Sequence, residues 1–310
     1  MYILIAVASG ILLLAIIITF ISYRLTFYTN RKRHFTVFHN LDGELSDGKR
    51  RSRELIEKLI SLPYENVYIQ SRDGLRLHAR YYHSNDGAPL QIQLHGYKSV
   101  SVRDFSGGAL ECLKRGHNLL LVDQRAHGES EGAVISFGIN ERFDVKDWIE
   151  YSINRFGDKT KIVLCGISMG AATVLMASEL DLPENVIGIL ADCPYSSPGE
   201  IIKKVVRDMK LPAWILYPFI KLSAKIICGF DLEAASAPDA VKRTKIPILL
   251  IHGEADSFVP VEMSDKIAAA GKTVTYKRIA DAGHGLSFIV NYETYIASLD
   301  AFLNKICKDD

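Results

Sequence analysis

The alternation of apolar and polar positions divides the chain into unlike stretches. Positions 2–23 carry no charge and are dominated by Ile, Leu, Val and Ala. A helix of roughly 20 apolar residues crosses a bilayer core, so this run predicts a transmembrane helix. Tyr23, Arg24, Phe27 and Tyr28 follow it, then Arg31, Lys32 and Arg33, the order of an interfacial aromatic belt and a basic cluster. A cleaved signal peptide is the competing reading. It carries a basic segment before a shorter apolar run, and here no Lys or Arg precedes the run. Basic residues lie only on its C-terminal side, which by the positive-inside tendency puts the remainder of the chain on the cytoplasmic side.

A polar linker is expected over 31–53, with Asp47-Gly48 as a breaker, then a helix through Leu55, Leu59 and Ile60 ending before Pro63. Beyond it, 67–71 and 75–82 alternate apolar and polar around Arg72-Asp73-Gly74, a hairpin pattern. Short apolar runs at 90–94, 118–122, 161–165, 186–191, 246–251 and 274–279 then alternate with helical stretches at 105–115, 142–155, 169–180 and 288–306. This rhythm predicts an α/β fold: a mostly parallel, eight-stranded sheet with helices on both faces. The organisation expected is an anchor with its juxtamembrane segment over 1–30, linker and helix over 31–63, and one α/β domain over 64–310.

The rhythm breaks once, between the runs at 186 and 246. Connections are usually about 2–6 residues long, and this one holds two helical stretches, 198–209 and the aromatic-rich 211–230. A helical cap over about 197–244 is expected, with Trp214 and Tyr217, and Phe258 beyond it, lining an apolar substrate pocket. Plain helix packing and a membrane-contacting surface flanked by Lys221 and Lys225 are the other readings.

Charge and cysteine content narrow the picture. Lys and Arg number 37 against 36 Asp and Glu, which excludes the basic excess of a nucleic-acid binder. Cys112, Cys165, Cys193, Cys228 and Cys307 show no paired spacing and read as reduced thiols. No His-Glu-x-x-His, Cys-x-x-Cys or phosphate loop is present, so no metal or cofactor is expected.

The chemistry concentrates at the ends of the predicted strands. Gly166-Ile167-Ser168-Met169-Gly170 joins a strand to a helix. Chance supplies such a motif about 0.1 times in a chain of this length. A serine on so tight a turn is lifted clear of the sheet and sits at a helix N-terminus that favours developing negative charge. His-Gly occurs four times, at 95, 127, 252 and 284, where composition alone gives roughly 0.6. Each pair follows a predicted strand, so all four are expected along the sheet edge that carries Ser168.

Their roles differ. His284, in a loop after the last strand, suits a general base near neutral pH. Asp256 follows the 246–251 strand and can orient the imidazole; Glu254 is the rival acid and Asp281 a weaker one. The Tyr97 and Met169 backbone N–H groups are the expected oxyanion donors. His95 reads as a loop-holding side chain, and Asp123 to Ser130 as a structural loop tied by hydrogen bonds.

Together these five loops resemble the α/β-hydrolase superfamily, and more narrowly its serine-aminopeptidase-like branch, which includes monoglyceride lipases. The resemblance covers about 64–306. It implies the α/β-hydrolase fold and an esterase-type mechanism with Ser168, Asp256 and His284, and oxyanion donors at Tyr97 and Met169. The chain departs from the branch at Ala126, where Asp-x-Arg-Gly-His-Gly-x-Ser has Gly. The expected function is a membrane-anchored serine hydrolase of an apolar carboxylic ester. A serine peptidase holding a peptide terminus through Glu233 or Asp231, and a catalytically silent membrane scaffold, are the alternatives.

Overall fold

A computed structural model describes residues 1–30 and 47–307. Most of the expected linker, including Arg31, Lys32 and Arg33, lies outside the described residues. Its last part is not linker: helix α2 starts at Asp47 and runs to Ile60. Asp47-Gly48 therefore opens a helix instead of breaking the chain, because the charged run after it is amphipathic. It turns Ile56 and Leu59 into the interior and leaves its basic residues outside.

Eight strands form one sheet in the order β1-β2-β4-β3-β5-β6-β7-β8. They are β1 (Glu65–Gln70), β2 (Arg76–Tyr82), β3 (Leu90–Leu94), β4 (Asn118–Asp123), β5 (Ile162–Ile167), β6 (Val186–Asp192), β7 (Ile248–Gly253) and β8 (Val274–Ile279). β1 pairs with β2, and β2 with β4, antiparallel; every other pairing is parallel. Among the described residues the helices are α1 (Tyr2–Thr26), α2, α3 (Ser101–Asp104), α4 (Ser106–Lys114), α5 (Glu141–Phe156), α6 (Met169–Ala177), α7 (Pro198–Asp208), α8 (Ala213–Ile226), α9 (Ala237–Arg243), α10 (Val261–Ala270), α11 (Ser287–Val290) and α12 (Tyr292–Cys307).

The period of two along each strand sorts the core into two layers. Ile92, Leu120, Leu164, Ile189 and Leu250 face one side, against Trp148 of α5, Val174 of α6 and Val241 of α9. Leu121, Val163, Leu190 and Leu249 face the other, against Ile56 of α2, Ala109 of α4 and Phe302 of α12. A third apolar cluster sits above the strand ends. It joins Ile201, Ile202 and Val206 of α7, Tyr217 and Ile220 of α8, and Phe27 beyond the end of α1.

Three sequence expectations change here. The helix expected over 105–115 is α4, but the stretch expected as one helix over 288–306 is α11 and α12, parted at Asn291. Helix α10 was not foreseen. Its burial is limited to Met263, Ser264 and Ile267, too few for a clear apolar stripe. The inserted segment does form helices, but α9 leaves the cap: Ala237 and Val241 pack in the core layer with Trp148 and Val174. The five cysteines are all free thiols.

Helix α1 has two unlike parts. From Tyr2 to Leu25 most of its large apolar side chains stand exposed, and it is long and apolar enough to cross a membrane. Its far end belongs to the fold. Phe27 is fully buried, edge-on to Phe137 and Phe230. The Thr29 N–H donates to the Ala133 carbonyl and the Ile135 N–H to the Phe27 carbonyl, while α1 packs along α8.

Candidate active site

Ser168 follows β5 and caps α6 with φ 54° and ψ −115°. This backbone is strained for a residue with a Cβ. The two flanking glycines follow from the tightness of the turn. A Cβ on Gly166 would collide with the Gly170 backbone, and one on Gly170 with the Leu94 carbonyl.

The Ser168 hydroxyl lies 2.9 Å from His284 Nε2, and His284 Nδ1 lies 2.6 Å from Asp256 Oδ2. These three side chains come from loops after β5, β7 and β8, so the parallel strand ends bring them together. Asp256 is buried, and burial works against its charge. Hydrogen bonds from His252 and His284, with the Val259 N–H, overcome this and hold its carboxyl well below the ordinary carboxylate range. Its other oxygen accepts from the N–H groups of Phe258 and Val259 at 2.9 and 2.8 Å. An ionised carboxylate so held fixes the imidazole tautomer with its free nitrogen toward serine. Glu254 and Asp281, the rival acids, are exposed and outside this chain of contacts.

The other three His-Gly pairs reach the same edge but serve the frame. His252 Nε2–H donates to the Val259 carbonyl at 2.9 Å, near Asp256 Oδ2 at 3.2 Å, and Nδ1 faces the Ser264 hydroxyl at 2.6 Å. It is a second support for Asp256 that the motif reading missed; its only sign was the repeated His-Gly pattern. His95 accepts from the Gln124 N–H and donates to the Gly96 carbonyl. Burial, reinforced by neighbouring His95, pushes the His127 imidazole down to about 3. It therefore stays neutral and accepts from the Lys98 N–H at 3.1 Å. Ala126 adopts φ 64°, the left-handed conformation that the glycine of the resembled loop would occupy without strain.

Gly96 brings its loop against the serine: a Cβ there would lie 3.4 Å from the Ser168 Cβ. Met169 is the first residue of α6, so its N–H has no intrahelical acceptor. Tyr97 follows Gly96, stacks on Phe137, and donates its hydroxyl to the Thr26 carbonyl at 2.8 Å. The end of α1 thus buttresses the loop expected to carry an oxyanion donor.

A cavity of about 470 Å³ opens at Ser168 and His284. Phe258, 45% exposed, stands at its wall, tilted against the His284 ring. Trp214 and Tyr217 do not line it. Trp214 is 81% exposed on the outer side of α8, and Tyr217 is buried within the cap with its hydroxyl on Glu233. The cavity runs instead below the cap, between the sheet and α2, α4, α11 and α12. Glu233, a candidate for holding a peptide terminus, is engaged by Lys221 and Tyr217 and also lies outside the cavity. Among the described residues, Cys193, Asp256 and His284 have metal-ligand spacing, within 4.8 Å. Both His284 nitrogens are already turned to Ser168 and Asp256, so a cation there would displace those contacts.

The family model described as alpha/beta hydrolase fold matches residues 92–220. An uncharacterised protein of Bacillus subtilis, YqkD, is 28% identical over 63% of this chain and 64% of its own length. The alpha/beta hydrolase domain-containing protein WAV2 of Arabidopsis thaliana is 23% identical over 83% of this chain and 84% of its own. Among solved structures, the Pyrococcus furiosus esterase Pf2001 superposes with a TM-score of 0.64 at 24% identity, over 86% of this chain and 95% of that one. Est1E of Butyrivibrio proteoclasticus, solved with ferulic acid bound, superposes with a TM-score of 0.60 at 20% identity, over 78% and 100%.

Proposed function

The chain belongs to the α/β-hydrolase superfamily, and from that premise we propose that it is a serine hydrolase of carboxylic esters working through Ser168, His284 and Asp256. One observation carries the reading: the unbroken contact from the Ser168 hydroxyl through His284 to a buried Asp256, at a strained turn. His284 takes the Ser168 proton as the oxygen attacks the acyl carbonyl. The Tyr97 and Met169 N–H groups meet the resulting oxyanion. The C–O bond to the alcohol then breaks, and His284 returns the proton to the departing alkoxide. Water, deprotonated by His284, cleaves the acyl-serine and frees the acid.

The reading also places the enzyme at a membrane, with α1 as a single-pass anchor and the hydrolase domain on the cytoplasmic side. Burial of Phe27 and the Tyr97–Thr26 hydrogen bond favour a retained helix over a cleaved signal. The exposed Trp214, Leu222 and Ile226 of α8, the helix packed along α1, suit contact with the same lipid. The test is full-length protein in detergent, assayed with p-nitrophenyl acetate and labelled with a fluorophosphonate probe. Hydrolysis and labelling that both vanish in Ser168→Ala are expected. Hydrolysis left unchanged by that substitution overturns the mechanism.

A further inference from the structure

Strand β3 reads Leu90-Gln91-Ile92-Gln93-Leu94 and all five residues are buried. A strand at the centre of a covered sheet is ordinarily apolar on both faces. Here Leu90, Ile92 and Leu94 belong to one core layer, and the two glutamines turn to the other. Beside them in register stand Leu119 and Leu121 on β4, and Val163 and Cys165 on β5. Two amides in so apolar a row need a reason.

Their hydrogen bonds run in one direction. Gln91 Nε2 donates to His117 Nδ1 at 3.3 Å, and Gln91 Oε1 accepts from Gln93 Nε2 at 3.0 Å. Gln93 Nε2 also faces the Gly108 carbonyl at 3.4 Å. Two acceptors around that nitrogen fix the amide, since reversing it would set oxygen against oxygen. The chain of bonds therefore ends on Gln93 Oε1, which is buried and has no partner among the described residues. Asp192 Oδ1, at the end of β6, is in the same condition. Buried side-chain polar atoms are ordinarily bonded. Of the residues with a buried unpartnered side-chain polar atom among the described residues, Gln93 and Asp192 are the two that line the cavity at Ser168, each with one oxygen in that state. Other carboxylates on that wall are occupied: Asp104 by the Gly96 N–H and Ser99, Glu111 by Arg115 and Tyr292.

We propose that this cavity is a substrate subsite for an apolar stem bearing a hydrogen-bond donor, a hydroxyl or an ammonium group, and that Gln93 and Asp192 select it. The walls suit such a stem, since Leu190, Phe105, Phe288 and Leu299 lie around the two acceptors. Burial pushes the Asp192 carboxyl up to about 6, against the pull of His252 and Tyr295, so a donor delivered to it relieves a poorly solvated charge. The proposal deepens the esterase reading and rests on Ser168 as its nucleophile.

Two measurements separate the proposal from that reading. The first compares kcat/KM for p-nitrophenyl 6-hydroxyhexanoate, 6-aminohexanoate and heptanoate, and for 6-hydroxyhexyl against heptyl acetate, in full-length enzyme. The donor-bearing member of at least one series should lead its methyl counterpart by on the order of tenfold or more. That lead should collapse in Gln93→Leu. Asp192→Asn, which keeps an acceptor but no charge, should retain the preference for hydroxyl and lose any added preference for ammonium. The second measures calorimetric binding of 6-hydroxyhexanamide, 6-aminohexanamide and heptanamide to Ser168→Ala protein, and needs no turnover. Hydrolysis of p-nitrophenyl acetate with no donor preference in either series overturns the subsite and leaves the esterase reading standing. Absence of all hydrolysis overturns the esterase reading, and the binding experiment then decides the subsite alone. Heptanamide binding as tightly as its hydroxyl counterpart overturns it, because water would then be meeting the two acceptors.

Discussion

The two sides of the site are built on opposite plans. Above the strand ends, α7, α8 and the end of α1 interlock through aromatic and aliphatic side chains and fill their own interior. Below, between the sheet and α2, α4, α11 and α12, there is an open cavity whose central strand carries two buried glutamines. The aromatic-rich insertion draws the eye as a substrate pocket, yet Trp214 stands outward, Tyr217 is buried within the cap and Phe230 packs on Phe27. An apolar surplus marks packing. A polar residue where packing wants an apolar one marks a place kept for something else.

Five substitutions and one titration sharpen or break this contrast. The largest effect belongs to Ser168→Ala, which both sides share: ester hydrolysis should fall by roughly 10⁴-fold or more with the thermal midpoint little changed. Tyr217→Ala, within the filled side, should lower stability by about 3 kcal/mol while leaving the preference among esters untouched. Chemical unfolding followed by assay of the refolded enzyme measures both, and an altered ester preference would return the cap to the pocket. Ser52→Trp, at the α2 wall of the cavity, should cost about tenfold in kcat/KM for a heptanoyl ester and spare the acetyl ester. Trp214→Ala, on the outer surface, should change neither with soluble esters; a loss equal to that of Ser52→Trp would erase the distinction.

The titration concerns Asp192. Its folded-state pKa, raised to about 6 by burial, lies above that of an unfolded aspartate near 3.9. Between these values the folded protein binds the extra proton, so stability falls as pH rises from about 4 to 6. Across that window the urea midpoint of Asp192→Asn should gain on that of the native protein as pH rises, because the variant lacks the Asp192 contribution. The smallest effect is Ala126→Gly, which should stabilise by about 0.5 kcal/mol through relief of the positive φ, read as a rise in the urea midpoint.

How much of this was legible depends on whether the signal was local. The strands were, because each is a short apolar or alternating run closed by a polar or glycine-bearing loop, and the sheet order then brings Ser168, Asp256 and His284 to one edge. Asp256 was separable from Glu254 by position alone, two residues further into the loop. The roles of His252 and His127 were hidden, since they depend on partners such as Ser264 and Lys98 that only the folded chain supplies. The start of α2 was obscured by charge: its first two turns are polar on nearly every side and read as linker. The cavity was the least visible. Gln91 and Gln93 stand in plain view within an apolar run, but which layer they face, and what lies there, are matters of sheet parity and of α2, α4 and α12 packing from distant parts of the sequence.

The end of α1 has a mechanical consequence. No spacer separates the apolar helix from the fold: Phe27, Tyr28 and Thr29 are already locked into it by a buried ring, a bridge to Val134 and a backbone bond to Ala133. With α1 in a bilayer, the domain would have no leash on which to tumble. The mouth of the cavity would keep one height and one bearing to the lipid, and encounters with lipid-dissolved esters would be searches across a plane instead of through a volume. Turnover in vesicles would then follow the surface density of substrate and not its bulk concentration.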